Sequence, residues 1–137
     1  MLKGIPSVIG PELLKILNEM GHGDEIVIGD GNFPAHTYGK RVVRADGVNA
    51  TEMLKAILKL IPLDTFDHNF ILMDAPKESI PEIWSEYFSI AKKEDKNLDV
   101  AFVERFSFYE RAKNAYAVIT TSETQIYANI IIKKGVI

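Results

Sequence analysis

The chain has three histidines, and one of them, His22, stands in the turn-forming run Gly21-His22-Gly23-Asp24. It lies just ahead of the apolar stretch Ile26-Val27-Ile28, which ends at Gly29-Asp30. An imidazole, whose ordinary pKa is about 6.5, can both take and give a proton at neutral pH. With Asp30 carried by the next turn, the two outline a proton-transfer site. The bland reading of His22 is a turn residue that caps the preceding helix or binds a carbonyl. Asp24 either orients the His22 ring or is a solvated turn residue. Asp30 either closes an Asx-turn at the loop start or accepts a hydroxyl from a ligand. Arg105 is either a surface charge or a fixed donor for an oxygen-rich ligand. Tyr127 and Asn129, two apart in a predicted strand, share one face. An amide among Ile126, Ile130, Ile131 and Ile132 needs hydrogen-bond partners if it is buried.

Several sharper chemistries fail on spacing. Gly21-His22-Gly23 precedes a strand, whereas phosphate-cradling glycines follow a strand and open a helix. Asp30-Gly31-Asn32 starts like a calcium loop but lacks the later ligand positions, and Pro34 interrupts it. His22, Asp24, Asp30 and His36 have the side chains for a zinc or manganese ion but match no ligand motif. No serine occupies a Gly-x-Ser-x-Gly elbow. No metal is expected.

These residues must be positioned by short alternating elements. Gly10-Pro11 predicts a helix start, with proline at the first helical position. Leu13, Ile16, Leu17 and Met20 then share a face, and Gly21 reads as a left-handed stop. Residues 25–29 read as a buried strand and residues 41–45 as a second one. The loop between them, from Asp30 to Lys40, carries His36 and Tyr38. Asn49-Ala50-Thr51-Glu52 resembles a capping box, with Glu52 reaching back to Asn49, and the helix it opens runs to Pro62. Phe70 to Met73 is a strand feeding Asp74-Ala75-Pro76. Ile80, Ile83, Trp84, Tyr87, Phe88 and Ala91 follow at helical spacing and read as core rather than as a cofactor-stacking stripe. Val100 to Val103 is a strand that ends at Glu104-Arg105, with the aromatic segment 106–109 after it. Residues 116–121 and 126–133 are β-rich and predict a closing antiparallel hairpin.

Helices alternating with apolar strands predict a single α/β domain over residues 1–137, a three-layer α/β/α fold with a largely parallel sheet and a C-terminal antiparallel hairpin. Ligands in such folds gather outside the carboxyl ends of the strands, where Asp30, Asp74 and Arg105 all fall. The length of 137 residues suits one domain, and 16 basic against 19 acidic side chains, interspersed, leave no basic footprint for nucleic acid. There is no cysteine, which rules out disulfides and thiolate metal sites and suits a reducing compartment. The N-terminal segment lacks the apolar run of a signal peptide, and no stretch approaches the ~18 apolar residues of a membrane span. A cytoplasmic location and no membrane partner are expected.

Taken in order, several pieces of the chain are similar to one family. They are Pro11-Glu12-Leu13-Leu14, Gly21 to Ile26, Asp30, Asn32-Phe33-Pro34-Ala35-His36, Arg44-Ala45-Asp46-Gly47, Arg105-Phe106 with Phe108 to Ala112, and Tyr127 to Ile130 with Lys133 to Val136. From Leu2 to Val136 the chain resembles the sugar mutarotases, the family of the L-fucose mutarotases and D-ribose pyranases. The Asn-Phe-Pro-Ala-His loop and the Arg-Phe-x-Phe-Tyr-Glu-Arg-Ala segment side with the fucose branch, since ribose pyranases carry a histidine near the position of Arg105. Ala128 departs from the glycine of some fucose mutarotases.

The resemblance implies a cofactor-independent isomerase that interconverts the α and β anomers of L-fucose or a similar pyranose such as ribose. In that reading His22 is the acid/base residue, Asp30 and Arg105 bind the monosaccharide, and Tyr127 and Asn129 line the pocket. Asp24, His36 and Tyr109 stand behind them. It also implies a ring-like homo-oligomer in which neighbouring subunits complete each pocket. The alternative is a monosaccharide-binding or regulatory module that uses the same pocket without turnover.

Overall fold

The computed structural model describes residues 1–96 and 98–137. In chain order the elements are α1 (Pro11–Glu19), β1 (Glu25–Gly29), α2 (Ala35–Tyr38), β2 (Val42–Ala45), α3 (Ala50–Leu58), β3 (Phe70–Met73), α4 (Ile83–Glu94), β4 (Val100–Val103), α5 (Arg105–Asn114), β5 (Ala117–Thr121) and β6 (Ile130–Lys133). A single-turn 3₁₀ segment, Lys77–Ser79, precedes α4. The strands form one six-stranded sheet in the order β2-β5-β1-β6-β3-β4.

Both faces of the sheet are covered, and strand alternation shows how. Ile26 and Ile28 of β1, Phe70 and Leu72 of β3, and Ile130 and Ile132 of β6 join the buried faces of α1, α3 and α4. Val27, Ile71 and Ile131, one residue out of phase, join Phe33, Phe108 and Ala112 on the α2 and α5 side. The central residues of these strands are apolar on both faces because neither face meets solvent, and the charged Glu25 and Lys133 fall at strand ends. The three-layer α/β/α reading therefore holds.

The closing hairpin does not form. β5 pairs in parallel with β1 and β2, and β6 is antiparallel to β1 and β3. The expected antiparallel element exists, but β1 separates it from β5. The reason lies in the connection. Residues 122–129 are too many for a tight turn, and they cross over the carboxyl end of β1 before β6 enters the sheet. Three buried isoleucines in a row, Ile130 to Ile132, require apolar cover on both faces, which the slot between β1 and β3 supplies.

Smaller departures have equally local causes. The helix over 11–19 ends with Met20 extended, and the left-handed glycine is Gly23 (φ 85°), not Gly21. The Lys134 ammonium donates to the carbonyls of Leu17 and Met20, so this helix end is capped by a cation rather than by a glycine turn. The Asn49 side chain accepts from the Glu52 N–H at 2.9 Å, the first half of the capping box. The second acceptor contact on that oxygen comes from the Thr51 hydroxyl, at 2.9 Å. Regular helix stops at Leu58, and the N–H groups of Leu60 and Ile61 both turn back to the Ile57 carbonyl ahead of Pro62. The segment after β4 is a helix, because the Glu104 carboxylate accepts from the N–H groups of Phe106 and Ser107 at 2.8 and 3.0 Å. A glutamate is an uncommon N-cap, which hides this start from a sequence reading. Tyr127 and Asn129 precede β6 and are not strand residues, and Tyr127 is left-handed (φ 57°).

The aromatic stripe of α4 is core, as its spacing predicts, with Ile83, Trp84, Tyr87 and Ala91 buried. Ile80 lies outside the helix and is exposed. The stripe also has a polar task. Trp84 Nε1 donates to the Tyr127 carbonyl and the Tyr87 hydroxyl to the Ala128 carbonyl, both at 2.8 Å. The crossing segment is thus held by two side chains from the helix below it. Replacing Tyr87 with Phe leaves the buried Ala128 carbonyl without its donor, a loss of about 1–2 kcal/mol. The expected thermal midpoint falls by roughly 3–8 °C for a chain of this size; an unchanged midpoint would contradict the role given to this hydrogen bond.

Candidate functional site

The carboxyl ends of the parallel strands meet the crossing segment in a cleft of about 260 Å³. Asp30 enters it from the end of β1, Met73 from β3, Arg105 and Tyr109 from the start of α5, and Tyr127 and Asn129 from the crossing segment. Asn32, Phe33 and Ile126 complete the wall. An adjoining hollow of about 350 Å³ shares Arg105 and Tyr127 and is lined by Asp74 and Glu104. Asp30, Asp74 and Arg105 do converge at strand ends, but Asp74 faces the second hollow. A further depression of about 650 Å³ lies between α3 and α4 and contains none of the cleft residues.

The floor of the cleft is a lock between Asp30 and Asn129, which are only 5% and 4% exposed. The Asp30 N–H donates to Asn129 Oδ1 at 2.7 Å, and Asn129 Nδ2 donates back to Asp30 Oδ2 at 3.1 Å. This exchange fixes the amide orientation, and the Asn129 carbonyl accepts from the Met73 N–H. The other carboxylate oxygen, Oδ1, accepts from the Asn32 N–H at 2.9 Å. Asp30 is therefore both the Asx-turn residue and a cleft carboxylate. Burial pushes its pKa up, and the hydrogen bonds from Asn32, Asn129, Ala128 and Phe33 offset only part of that rise.

Arg105 opens α5, is exposed, and holds its guanidinium carbon 4.6 Å from the centre of the Phe106 ring. Tyr109, one turn on, stacks on Tyr38 with centroids 4.9 Å apart and meets Phe33 edge-on at 5.7 Å. Burial raises the Tyr109 pKa, against the opposing pull of Arg105, so the phenol stays a proton-bearing donor at neutral pH. The cleft thus has a carboxylate acceptor, a guanidinium and a phenol as donors, and aromatic and sulfur walls. That set suits a small polyhydroxylated ring with one apolar face.

His22 is elsewhere. It precedes β1 while Asp30 follows it, so the two flank opposite ends of a strand that is itself about 13 Å long. His22 Nε2 meets Asp64 Oδ1 at 3.1 Å, and the Phe66 ring lies 5.6 Å from the imidazole. The sequence reading that brought His22 and Asp30 to neighbouring turns therefore fails within one chain. Asp24 does not orient the ring, because its carboxylate closes the turn on the Gly21 N–H at 2.8 Å. The residue in contact with the ring is Asp64. Burial alone would lift the Asp64 carboxyl, but the hydrogen bonds from His22 and from the Phe66 and Thr65 N–H groups outweigh it and hold the pKa below the usual range. His36 stands clear of the cleft and accepts from the Arg44 guanidinium at 3.3 Å.

Of the residues singled out from sequence, the structure gathers Asp30, Arg105, Tyr109, Tyr127 and Asn129, and leaves out His22, Asp24 and His36. Asn32, Phe33, Met73, Ile126 and Asp64 were missed. Asn32 and Phe33 lie in the quoted loop motif, and Met73 is the last residue of a predicted strand. Ile126 and Asp64 carry no signal in a single sequence. Among the described residues no three carboxylate or imidazole side chains converge as a metal site, and no helix is long and apolar enough to cross a membrane.

The chain is 50% identical to a fucose mutarotase of Danio rerio, over 100% of this chain and 95% of that protein. It superposes on the fucose mutarotase of Streptococcus pneumoniae in complex with L-fucose with a TM-score of 0.93 at 45% identity, covering 99% of both chains. FucU of Bifidobacterium longum gives the same TM-score of 0.93 at 50% identity, over 98% of this chain and 99% of that one. The RbsD / FucU transport protein family matches residues 3–137, and the chain belongs to that family.

Proposed function

We propose that the protein is a fucose mutarotase, an isomerase that interconverts the α and β anomers of L-fucose without a cofactor. The observation that carries this reading is full-length similarity to proteins of that activity, coupled with a cleft whose donors and acceptors suit a pyranose. The reaction moves only protons. The anomeric hydroxyl loses a proton, the ring oxygen gains one, and the bond between the anomeric carbon and the ring oxygen breaks to give the open aldehyde. Rotation about the bond from that carbon to its neighbour, then reclosure, gives the other anomer. Asp30 accepts from sugar hydroxyls, Arg105 donates to sugar oxygens, and Tyr109 and Phe33 offer rings to the apolar side of the sugar. A reaction that is already fairly quick in water asks for positioning and one proton relay rather than for large transition-state stabilisation.

His22 supplies the relay, and its distance from Asp30 sets the condition under which it can. A second copy of the chain brings its His22 to the cleft of the first. Large apolar side chains stand exposed at both places: Phe66, 79% exposed, beside His22, and Phe106 and Ile126, 60% and 58% exposed, beside the cleft. One end of the molecule thus meets the other end of its neighbour. Such a heterologous contact closes into a ring when the rotation between copies permits. The site works in the cytoplasm, where free sugars are metabolised. A binding module without turnover is not favoured, since the relatives are named for the activity.

Exchange NMR on L-fucose tests the reading. Wild-type protein is expected to speed exchange between the anomer signals, and His22→Ala to remove about 100-fold or more of that acceleration. Equal exchange rates for wild type and His22→Ala would overturn the assignment of His22. A carbon-detected titration of the aspartate carboxyls tests the floor of the site. Asp30 is expected to titrate above the ordinary carboxylate value of about 3.9, and Asn129→Ala to raise it further, because the amide bond favours the charged form. The sign for stability follows: a raised carboxyl contributes stability below that ordinary value, and this is lost as pH rises through the folded one. A midpoint below 3.9 on the same scale contradicts the account of Asp30.

A further inference from the structure

The His22 ring is held from one side only. Its Nε2 reaches Asp64 Oδ1 at 3.1 Å, and the side chains are 45% and 6% exposed respectively. Nothing among the described residues bonds to Nδ1. The Asp64 oxygen is itself fixed. It accepts from the Phe66 N–H at 3.3 Å, the Asp64 N–H donates to the Lys133 carbonyl at 3.0 Å, and the Asp64 carbonyl accepts from Asn69 Nδ2 at 2.8 Å. Leu63 is bridged antiparallel to Lys134, and Gly135 packs so closely that an added Cβ would stand 2.4 Å from the Leu63 carbonyl oxygen. The carboxylate is therefore anchored by backbone on both sides, while the imidazole it meets is half open to solvent.

We infer that Asp64 is a positioning residue for His22: it accepts the Nε2–H and thereby leaves the Nδ1 lone pair as the proton acceptor at the exposed face of the ring. The inference rests on the reading of His22 as the proton-transfer group. A carboxylate can only accept, so neutral His22 carries its proton on Nε2. When Nδ1 takes the proton of a hydroxyl, the new imidazolium charge lies against an anion already in place. The Phe66 ring stands tilted beside the imidazole, with centroids 5.6 Å apart. Other charged groups in the neighbourhood are already engaged. Lys134 is bound to the Leu17 and Met20 carbonyls, Lys133 is paired with Asp67, and Asp24 is turned to the Gly21 N–H. No second carboxylate bonds to the ring among the described residues.

Long-range nitrogen–proton NMR of the wild-type protein reads the tautomer directly and needs no variant. Nε2–H is expected for neutral His22, and an Nδ1–H tautomer overturns the inference. In Asp64→Asn, anomer exchange at saturating L-fucose is expected to fall at least about tenfold with little change in half-saturation. Asp64→Glu, which keeps the charge, should restore part of the rate. A full rate and unchanged tautomer in Asp64→Asn, with His22→Ala inactive, overturn the role of Asp64 and leave His22 standing. Full activity in His22→Ala overturns the reading of His22, and the role of Asp64 falls with it.

Discussion

The two-way exchange between Asp30 and Asn129 is the constraint on which the site depends. It joins the end of the first strand to the start of the last, and it does so where the sheet would otherwise end in unpaired backbone. Everything above it follows from β6 running against its neighbours. A sixth parallel strand would enter the sheet at the opposite end, and the crossing segment would never pass over β1. Because β6 is antiparallel, residues 122–129 lie across the carboxyl end of β1 and carry Ile126, Tyr127 and Asn129 into the cleft. Trp84 and Tyr87 hold that segment from below, so the helix that packs the core also sets the pocket wall.

The same lock has an energetic cost that a purely structural site would avoid. Asp30 is buried with its carboxyl pushed up, and the amide and backbone donors around it recover only part of the penalty. Buried polar groups of this kind are kept where the charge is used. The cost is limited because both oxygens are satisfied: one faces the amide of Asn129 and the other the Asn32 N–H.

Most of the architecture was legible in the sequence because its signals are local. Apolar runs without alternation gave the strands, the proline at Pro11 and the cap at Asn49 gave helix starts, and the stripe from Ile83 to Ala91 gave a core helix. What was not legible depends on partners far along the chain. The β5–β6 hairpin is a reasonable inference from two adjacent β-rich runs, and only the competition for β1 and β3 decides against it. The helix from Arg105 was hidden by a glutamate cap, and Tyr127 in left-handed backbone looks like a strand residue when only its neighbours are read. Asp30 and Arg105 were found because strand ends are predictable. Asp64, forty-two positions from His22, was not, because nothing local distinguishes it from a loop aspartate.

His22 and the cleft lie at opposite ends of the first strand, so the proposed role of His22 requires that one chain hold two halves of different sites. In the proposed function each working pocket draws on two chains, and mixing of inactive chains tests this most directly. His22→Ala and Arg105→Ala chains, inactive alone, are co-assembled in equal amounts and purified by a tag on each. The account predicts about one quarter of wild-type anomer exchange in the mixed assemblies, since random neighbours pair an intact His22 with an intact Arg105 at about one contact in four. Mixed assemblies as inactive as their parents would contradict it.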